Sequence, residues 1–427
     1  MNIQQAMDKG EGEVTINGWV YRERGSNKIK FIVMRDHTNT IQCVLKKNDF
    51  SEDKWEEAVS VQIEASMEIT GTIKADERAP TGYEIQVSDF KIIGPSDTFP
   101  ITKDQSPEFL LDQRHLWLRS RYMTAVMKVR NTVMQAFRNF YLDNGYYEWS
   151  PPILQPSQSE GGSTLFEVKY YKEKTYLTQS WQLYAEAGIF GMDKLFCISP
   201  CFRAEKSKTS RHLSEFWMAE MESSWMELPQ LVESAEKCVA YIVKEVVEKN
   251  KPELEELGQD VEKLKNIKAP FPKLTYEEAL KILKEKDDLE VPWGKDLRTI
   301  EEDTLMKHYD KPVIVTNYPE ETMAFYKPED PEKPGTALCL DMLAPEGYGE
   351  IIGGSQRDTD IERMKKKLEE QGEDPENYEW YFDLRRYGSV PHSGYGLGIE
   401  RVVAWLCGLD NIKDSIPFPR TMLRFTP

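Results

Sequence analysis

The chain has 427 residues, 30% of them charged, with 73 acidic against 55 basic side chains and a formal charge of −18. That length supports two or three domains with cores of their own, and that charge argues against a protein that coats nucleic acid nonspecifically, while leaving room for local basic patches. No apolar run approaches the roughly 20 residues of a membrane span, and the polar start from Asn2 to Gln5 is unlike a signal peptide, so a cytoplasmic protein with no membrane contact is expected.

From Val14 to Ile93, five segments rich in β-branched and alternating residues, VTINGWV, IKFIVMRD, IQCVLKK, QIEASMEITGTIK and YEIQVSDFKII, are separated by turn residues. Five strands in this length predict a small β-barrel, for which the OB-fold is the natural candidate. Between residues 22 and 35, Arg22, Arg24, Lys28, Lys30 and Arg35 stand against the single Glu23, a local positive charge suited to a phosphate backbone. Phe31 offers a stacking face and Gln42 a two-way amide, the equipment such a barrel uses on single-stranded bases, although a lone Phe in a strand is more often core.

Pro95 to Pro107 reads as a linker. Val126, Val129, Val133, Phe137 and Phe140 then define one face of a helix that ends at Asn144-Gly145. Tyr146 to Leu154 predicts a strand that Pro151 and Pro152 confine to an edge or an interface. Ser159 to Phe166 is a Gly-containing loop, and Tyr176 to Ala187 a strand running into a helix. Cys197 and Cys201 are four apart without a His or Cys partner at ligand spacing, so zinc is not expected and all six cysteines read as reduced thiols.

Phe202 to Met221, FRAEKSKTSRHLSEFWMAEM, predicts a strand, a basic loop from Lys206 to Arg211 and a returning strand, with Arg203 and Glu205 on one face of the first. Two inward ionic residues on a central strand are costly unless they bind each other or something charged. Residues 226–290 read as an appended helical module with solvated charged faces, and 359–379 as a second acidic helical insertion. Val313 to Tyr318 and Ala337 to Leu343 predict buried strands, after which Asp341 and Glu350 bracket a turn and Glu350 leads through IIGGSQR to Arg357. Gly394, Gly396 and Gly398 alternate along a strand that something flat can approach closely, and Arg401 stands where that strand enters a helix.

Pro152 behind its helix, the 202–221 stretch and GYGLGIER at 394–401 together resemble motifs 1, 2 and 3 of class II aminoacyl-tRNA synthetases, in the family's order. The resemblance implies an α+β fold: an antiparallel sheet flanked by helices in a catalytic domain over 119–427, joined by a linker at 96–118 to an OB-fold anticodon-binding domain over 1–95. It implies a homodimer built on motif 1, catalytic roles for Arg203 and Arg401, and ATP held by Arg203, Glu205, Arg211, His212, Phe216, Glu350 and Arg401, with the adenine between Phe216 and Arg401. Asp341 and Glu350 would bind Mg²⁺, and Phe31 and Gln42 match the positions that hold the central anticodon base in aspartyl- and asparaginyl-type enzymes. Taken without the motif, His212 reads more readily as a structural histidine.

The resemblance is nearest to the aspartyl, asparaginyl and lysyl subgroup, and the stretch QSWQLYAEA separates aspartate from asparagine. Ala185 stands where aspartyl enzymes typically carry a Lys that neutralises the substrate's side chain. Without that Lys, Glu220 can accept from an amide NH₂ while repelling a carboxylate, and Arg357 can donate to the amide oxygen. EIIGGSQR and IPFPRT also look like asparaginyl enzymes, and Gly353 replaces a metal-binding Ser of many aspartyl ones. The resemblance thus implies L-asparagine, ATP and tRNA(Asn) as partners, with Glu160, Gln179, Glu220 and Arg357 around the amino acid. Three alternatives stay open: an aspartyl enzyme, an ammonia-using asparagine synthetase paralogue, which would lack the barrel, and a non-catalytic tRNA-binding protein, which has no reason to keep Arg203, Glu205, Glu350 and Arg401 together.

Overall fold

The computed structural model describes every residue except 157, 160–163 and 207–210, and it divides into two compact units, residues 1–110 and 111–427. In the first, strands β1 (Gly12–Gly25), β2 (Ile29–Arg35), β3 (Thr40–Lys46), β4 (Ser66–Ala75) and β5 (Tyr83–Gly94) close into a barrel in the order β1-β2-β3-β5-β4. Alternate residues of β1, Val14, Ile16 and Val20, point into its core, as the period-2 pattern requires. The helix Glu52–Ser60 between β3 and β4 was not legible as part of a five-strand pattern; Ser51 caps it, and Trp55 and Ala58 seal the barrel.

The second unit is built on eight strands: β6 (Tyr147–Glu148), β10 (Lys194–Phe202), β11 (Glu215–Ser224), β12 (Lys273–Thr275), β13 (Val313–Thr316), β14 (Cys339–Ala344), β15 (Gly349–Gln356) and β16 (His392–Gly398). Their order is β12-β13-β14-β15-β16-β11-β10-β6, antiparallel except for the outermost pair at each end. The predicted strand at 146–154 is split by its prolines: β6 takes the sheet edge, and β7 (Leu154–Gln155) joins a small separate sheet with β8 (Glu167–Tyr170) and β9 (Glu173–Leu177).

One face of the large sheet is covered by the helices Arg121–Asp143, Leu228–Lys249 and Ile399–Cys407, which share a core cluster with Ala219, Met221 and Leu397. The reading of 226–290 as a surface module is corrected here. Leu231, Ala235, Cys238, Val239, Ile242 and Val246 are fully buried, so the helix from Leu228 is a structural layer whose charged residues occupy only its outer stripe. In β11, Met218 and Glu220 alternate with those core residues and face the opposite side, where the sheet carries a cavity. The segment after 359 forms the helices Ile361–Glu370 and Glu379–Arg386, whose Met364, Leu368, Tyr381 and Phe382 are likewise buried.

Candidate active site

The cavity on the open face of the sheet is about 310 Å³, and it gathers residues that lie up to 232 positions apart, from Ser180 to Ile412. Arg203, Glu205, Arg211, His212, Phe216, Glu220, Asp341, Glu350, Arg357 and Arg401 all line it. Gln179 does not: its Oε1 accepts from the Ser159 N–H at 3.2 Å and its Nε2 donates to Thr164 Oγ1 at 2.7 Å, so it ties down the neighbouring loop while Gln182 reaches the cavity. Glu160 lies outside the described residues.

At one end, the Arg203 guanidinium stands 5.3 Å from the centre of the Phe216 ring, a cation–π contact. Arg203 and Glu205 follow β10, which ends at Phe202, and do not sit on it as the alternation suggested; the Arg203 N–H instead bonds the Ser214 carbonyl at 3.0 Å. His212 Nε2 is 3.8 Å from Glu205, and burial together with Arg401 lowers its pKa against the pull of Glu205. Arg211 is turned to Asp303, at 3.0 and 2.8 Å from its two oxygens.

Next to this end the charge reverses. Gly353 pairs with Asp341 across β14 and β15, and a Cβ on it would stand 2.7 Å from Glu350 Oε1 and 3.6 Å from Asp341 Oδ1, so both carboxylates converge over this glycine. Burial and Glu350 hold the Asp341 carboxyl well above the usual carboxylate range. The same two causes push Glu302 up to about 7 and raise Asp296. Mutual repulsion of this kind is relieved by a hard cation.

The glycines of β16 have a more specific use than an open floor. A Cβ at Gly394 would fall on Glu222 Oε2, and one at Gly396 on the Met218 methyl, so the space they leave is filled by side chains of β11; only Gly398 opens towards Arg401.

At the other end, Glu220 accepts from Ser180 Oγ at 2.5 Å and from the Trp181 N–H at 3.2 Å, and Arg357 makes two hydrogen bonds to Glu222. Ala185 is fully buried in an apolar cluster with Trp181, Ile189 and Leu195, away from the cavity lining. Glu222 went unread in the sequence, yet it lies two residues beyond Glu220 on the same strand face, and that period was the available signal.

In the barrel, Phe31 is half-buried and absent from the core cluster, unlike Trp55 and Phe90. Arg24, its cross-strand partner, stacks on it at 5.2 Å and donates to Gln42 Oε1 at 3.4 Å, while Gln42 Nε2 bonds Glu84 at 3.2 Å. Arg22 and Arg35 flank the Tyr21 ring at 5.3 and 5.8 Å, so the face is aromatic and cationic.

Residues 106–422 match the family described as tRNA synthetases class II (D, K and N), and residues 14–93 match the OB-fold nucleic acid binding domain. The chain belongs to this family of class II aminoacyl-tRNA synthetases. Relatives named asparagine–tRNA ligase include those of Thermoplasma acidophilum, 48% identical, and Thermococcus gammatolerans, 50% identical, each aligned over 97% of this chain and 96% of its own length. Among solved structures, asparaginyl-tRNA synthetase from Pyrococcus horikoshii complexed with asparaginyl-adenylate superposes with a TM-score of 0.97 at 45% identity, covering 100% of this chain and 99% of that one. The Entamoeba histolytica asparaginyl-tRNA synthetase in complex with asparaginyl-adenylate gives 0.90 at 32% identity, covering 97% of each. Within the family, the chain groups with the asparagine–tRNA ligases.

Proposed function

We propose that the chain activates L-asparagine with ATP, forming asparaginyl-adenylate and pyrophosphate, and then transfers asparagine to the 3′ end of tRNA(Asn). The observation that carries this reading is that one cavity joins an arginine–aromatic stack, Arg203 on Phe216, to an end lined by Glu220 and Arg357.

In the first step a carboxylate oxygen of asparagine attacks the α-phosphorus as the bond to pyrophosphate breaks, so negative charges are brought together and must be offset. Arg203 meets the carboxylate and the α-phosphate, Arg401 and Phe216 hold the adenine, and Glu205 accepts from its amino group. Arg211 must leave Asp303 to reach the distal phosphates alongside His212. Asp341 and Glu350 suit Mg²⁺, because a cation offsets the repulsion that raises Asp341 and hard carboxylate oxygens are its preferred ligands. Bound there, it supplies charge neutralisation at the phosphates. No general base is needed, since the attacking carboxylate is already ionised; in transfer, the tRNA ribose hydroxyl attacks the acyl carbon and its proton goes to the departing phosphate.

Phe31, Arg24 and Gln42 form the anticodon face. A homodimer is supported by exposed apolar side chains around motif 1, Leu142 at 49%, Tyr147 at 57% and Leu154 at 40%, beside the edge strand β6. Among the described residues no helix is long and apolar enough to cross a membrane. All six cysteines are buried and free, as thiols of a reducing compartment such as the cytoplasm are.

ATP–pyrophosphate exchange with asparagine, aspartate or no amino acid tests the proposal. Exchange with asparagine alone is expected. Exchange with aspartate alone would favour the aspartyl alternative, and none with either would favour a non-catalytic protein.

A further inference from the structure

Arg357 at the amide end is already engaged by the protein. Its Nε and Nη2 donate to the two oxygens of Glu222 at 2.9 and 2.8 Å, and its Nη1 donates to Ser355 Oγ at 2.9 Å. Glu222 is fully buried, and its cross-strand neighbour is Gly394, where any Cβ would collide with the carboxylate. The fold therefore makes room for this pair. Burial pushes the Glu222 carboxyl up and the fork from Arg357 draws it back; the paired short hydrogen bonds are those of ionised partners.

Glu186 lies 3.9 Å from the same Arg357 Nε, accepts from Arg385 at 2.6 Å and stands 3.0 Å from His392 Nε2. His392 Nδ1 is 2.7 Å from the Val390 carbonyl, which can only accept. Burial would raise the Glu186 carboxyl, but Arg385, His392 and Arg357 outweigh it and keep it ionised, so it too can only accept. Both imidazole nitrogens of His392 thus face acceptors.

Around the amide end the buried charges already meet one another: Arg357 pairs with Glu222 and Arg385 with Glu186. Both cations are thus matched before any substrate side chain enters, and Glu220 stands beside them as a buried acceptor. A neutral amide leaves these pairs undisturbed, whereas a carboxylate brings an unpaired charge into a buried site beside Glu220.

We propose that Glu222 is a specificity-determining residue that acts through Arg357: by taking two of its hydrogen bonds it cancels the charge a substrate carboxylate would need, and it leaves the guanidinium as a donor to an amide oxygen. Of the five guanidinium N–H groups, the bonds to Glu222 and Ser355 use three, so donors remain. This deepens the proposed function and rests on it.

The test is Glu222→Gln, with kcat/KM measured for asparagine and for aspartate in ATP–pyrophosphate exchange. The asparagine-to-aspartate ratio should fall by about ten-fold or more, with the KM for ATP held within about two-fold. Glu222→Asp keeps the charge and should restore most of the wild-type ratio. An unchanged ratio in Glu222→Gln, or an equal fall in Glu222→Asp, overturns the proposal, since a purely structural residue lowers both activities together. If Glu222→Gln shows no cooperative melting, competition in the wild-type enzyme decides: the neutral β-methyl ester of aspartate should inhibit asparagine-dependent exchange about ten-fold or more better than aspartate does. Equal inhibition overturns the proposal. A wild-type enzyme without asparagine-dependent exchange would instead sink the proposed function.

Discussion

Arg401 Nη1 donates to the backbone carbonyl of Glu350 at 2.5 Å and lies 3.4 Å from its Oε2, so the first turn of the Ile399–Cys407 helix is tied to the acidic end of the cavity. The side chains of this pair are 30% and 40% exposed, so the contact contributes little to stability. Arg401→Ala should therefore lower exchange by roughly 100-fold or more while leaving the melting temperature nearly unchanged. Arg203→Ala should behave alike. Near-normal exchange in either variant would remove them from the site.

Glu302 gives a pH dependence. Its folded pKa, pushed up to about 7, lies above the ordinary value, so the folded state holds this proton more tightly and loses stability as pH rises from the unfolded value through 7. Glu302→Gln should be more stable than wild type at pH 8, by on the order of 1 to 3 kcal/mol, with the gap closing towards pH 4.5. Denaturant unfolding at both pH values checks the sign.

On the barrel, Phe31→Ala removes the stacking face and Arg24→Ala the cation that covers it. Each should weaken charging of tRNA(Asn) by roughly 1 to 3 kcal/mol and leave amino-acid-dependent exchange intact. Parallel losses in both assays would return Phe31 to a structural role.

Glu220→Gln differs from the Glu222 variant because Glu220 faces the amide itself. Its carboxylate already accepts from Ser180 and Trp181. The Gln amide is a weaker acceptor and carries a donor, so asparagine activation should drop and discrimination against aspartate should fall with it. A preserved asparagine-to-aspartate ratio would make Glu220 an anchor for the Ser180 turn only.

Light scattering at micromolar concentration should find a dimer, and Tyr147→Lys, which places a charge on the exposed edge strand β6, should shift it towards monomer. A monomeric wild type would refute the motif 1 interface.

The barrel strands and most of the cavity residues were legible because each rests on a local period: alternation in β1 to β5 and in β11, and helical spacing after Ile399. The Leu228–Lys249 helix was misjudged because its charged outer stripe is as dense as that of a free surface helix, and only the sheet beneath it reveals which residues are buried. Ala185 was given a role facing substrate because its position was known and its direction was not. The Glu186, Arg385 and His392 set had no local signal, as its members are 199 and 206 residues from Glu186 and meet only through the sheet and the late helices.

The collision between a Cβ at Gly394 and the carboxylate of Glu222 also bears on how freely these two sites can change. Alanine at 394 is barred twice, by the Glu222 carboxylate and by the Met221 backbone carbonyl, which its Cβ would meet at 2.5 Å. A lineage drifting towards another amino acid can therefore alter residue 222 without freeing residue 394. The glycine is held by the neighbouring strand's backbone as well as by the carboxylate, so it should outlast any change at 222.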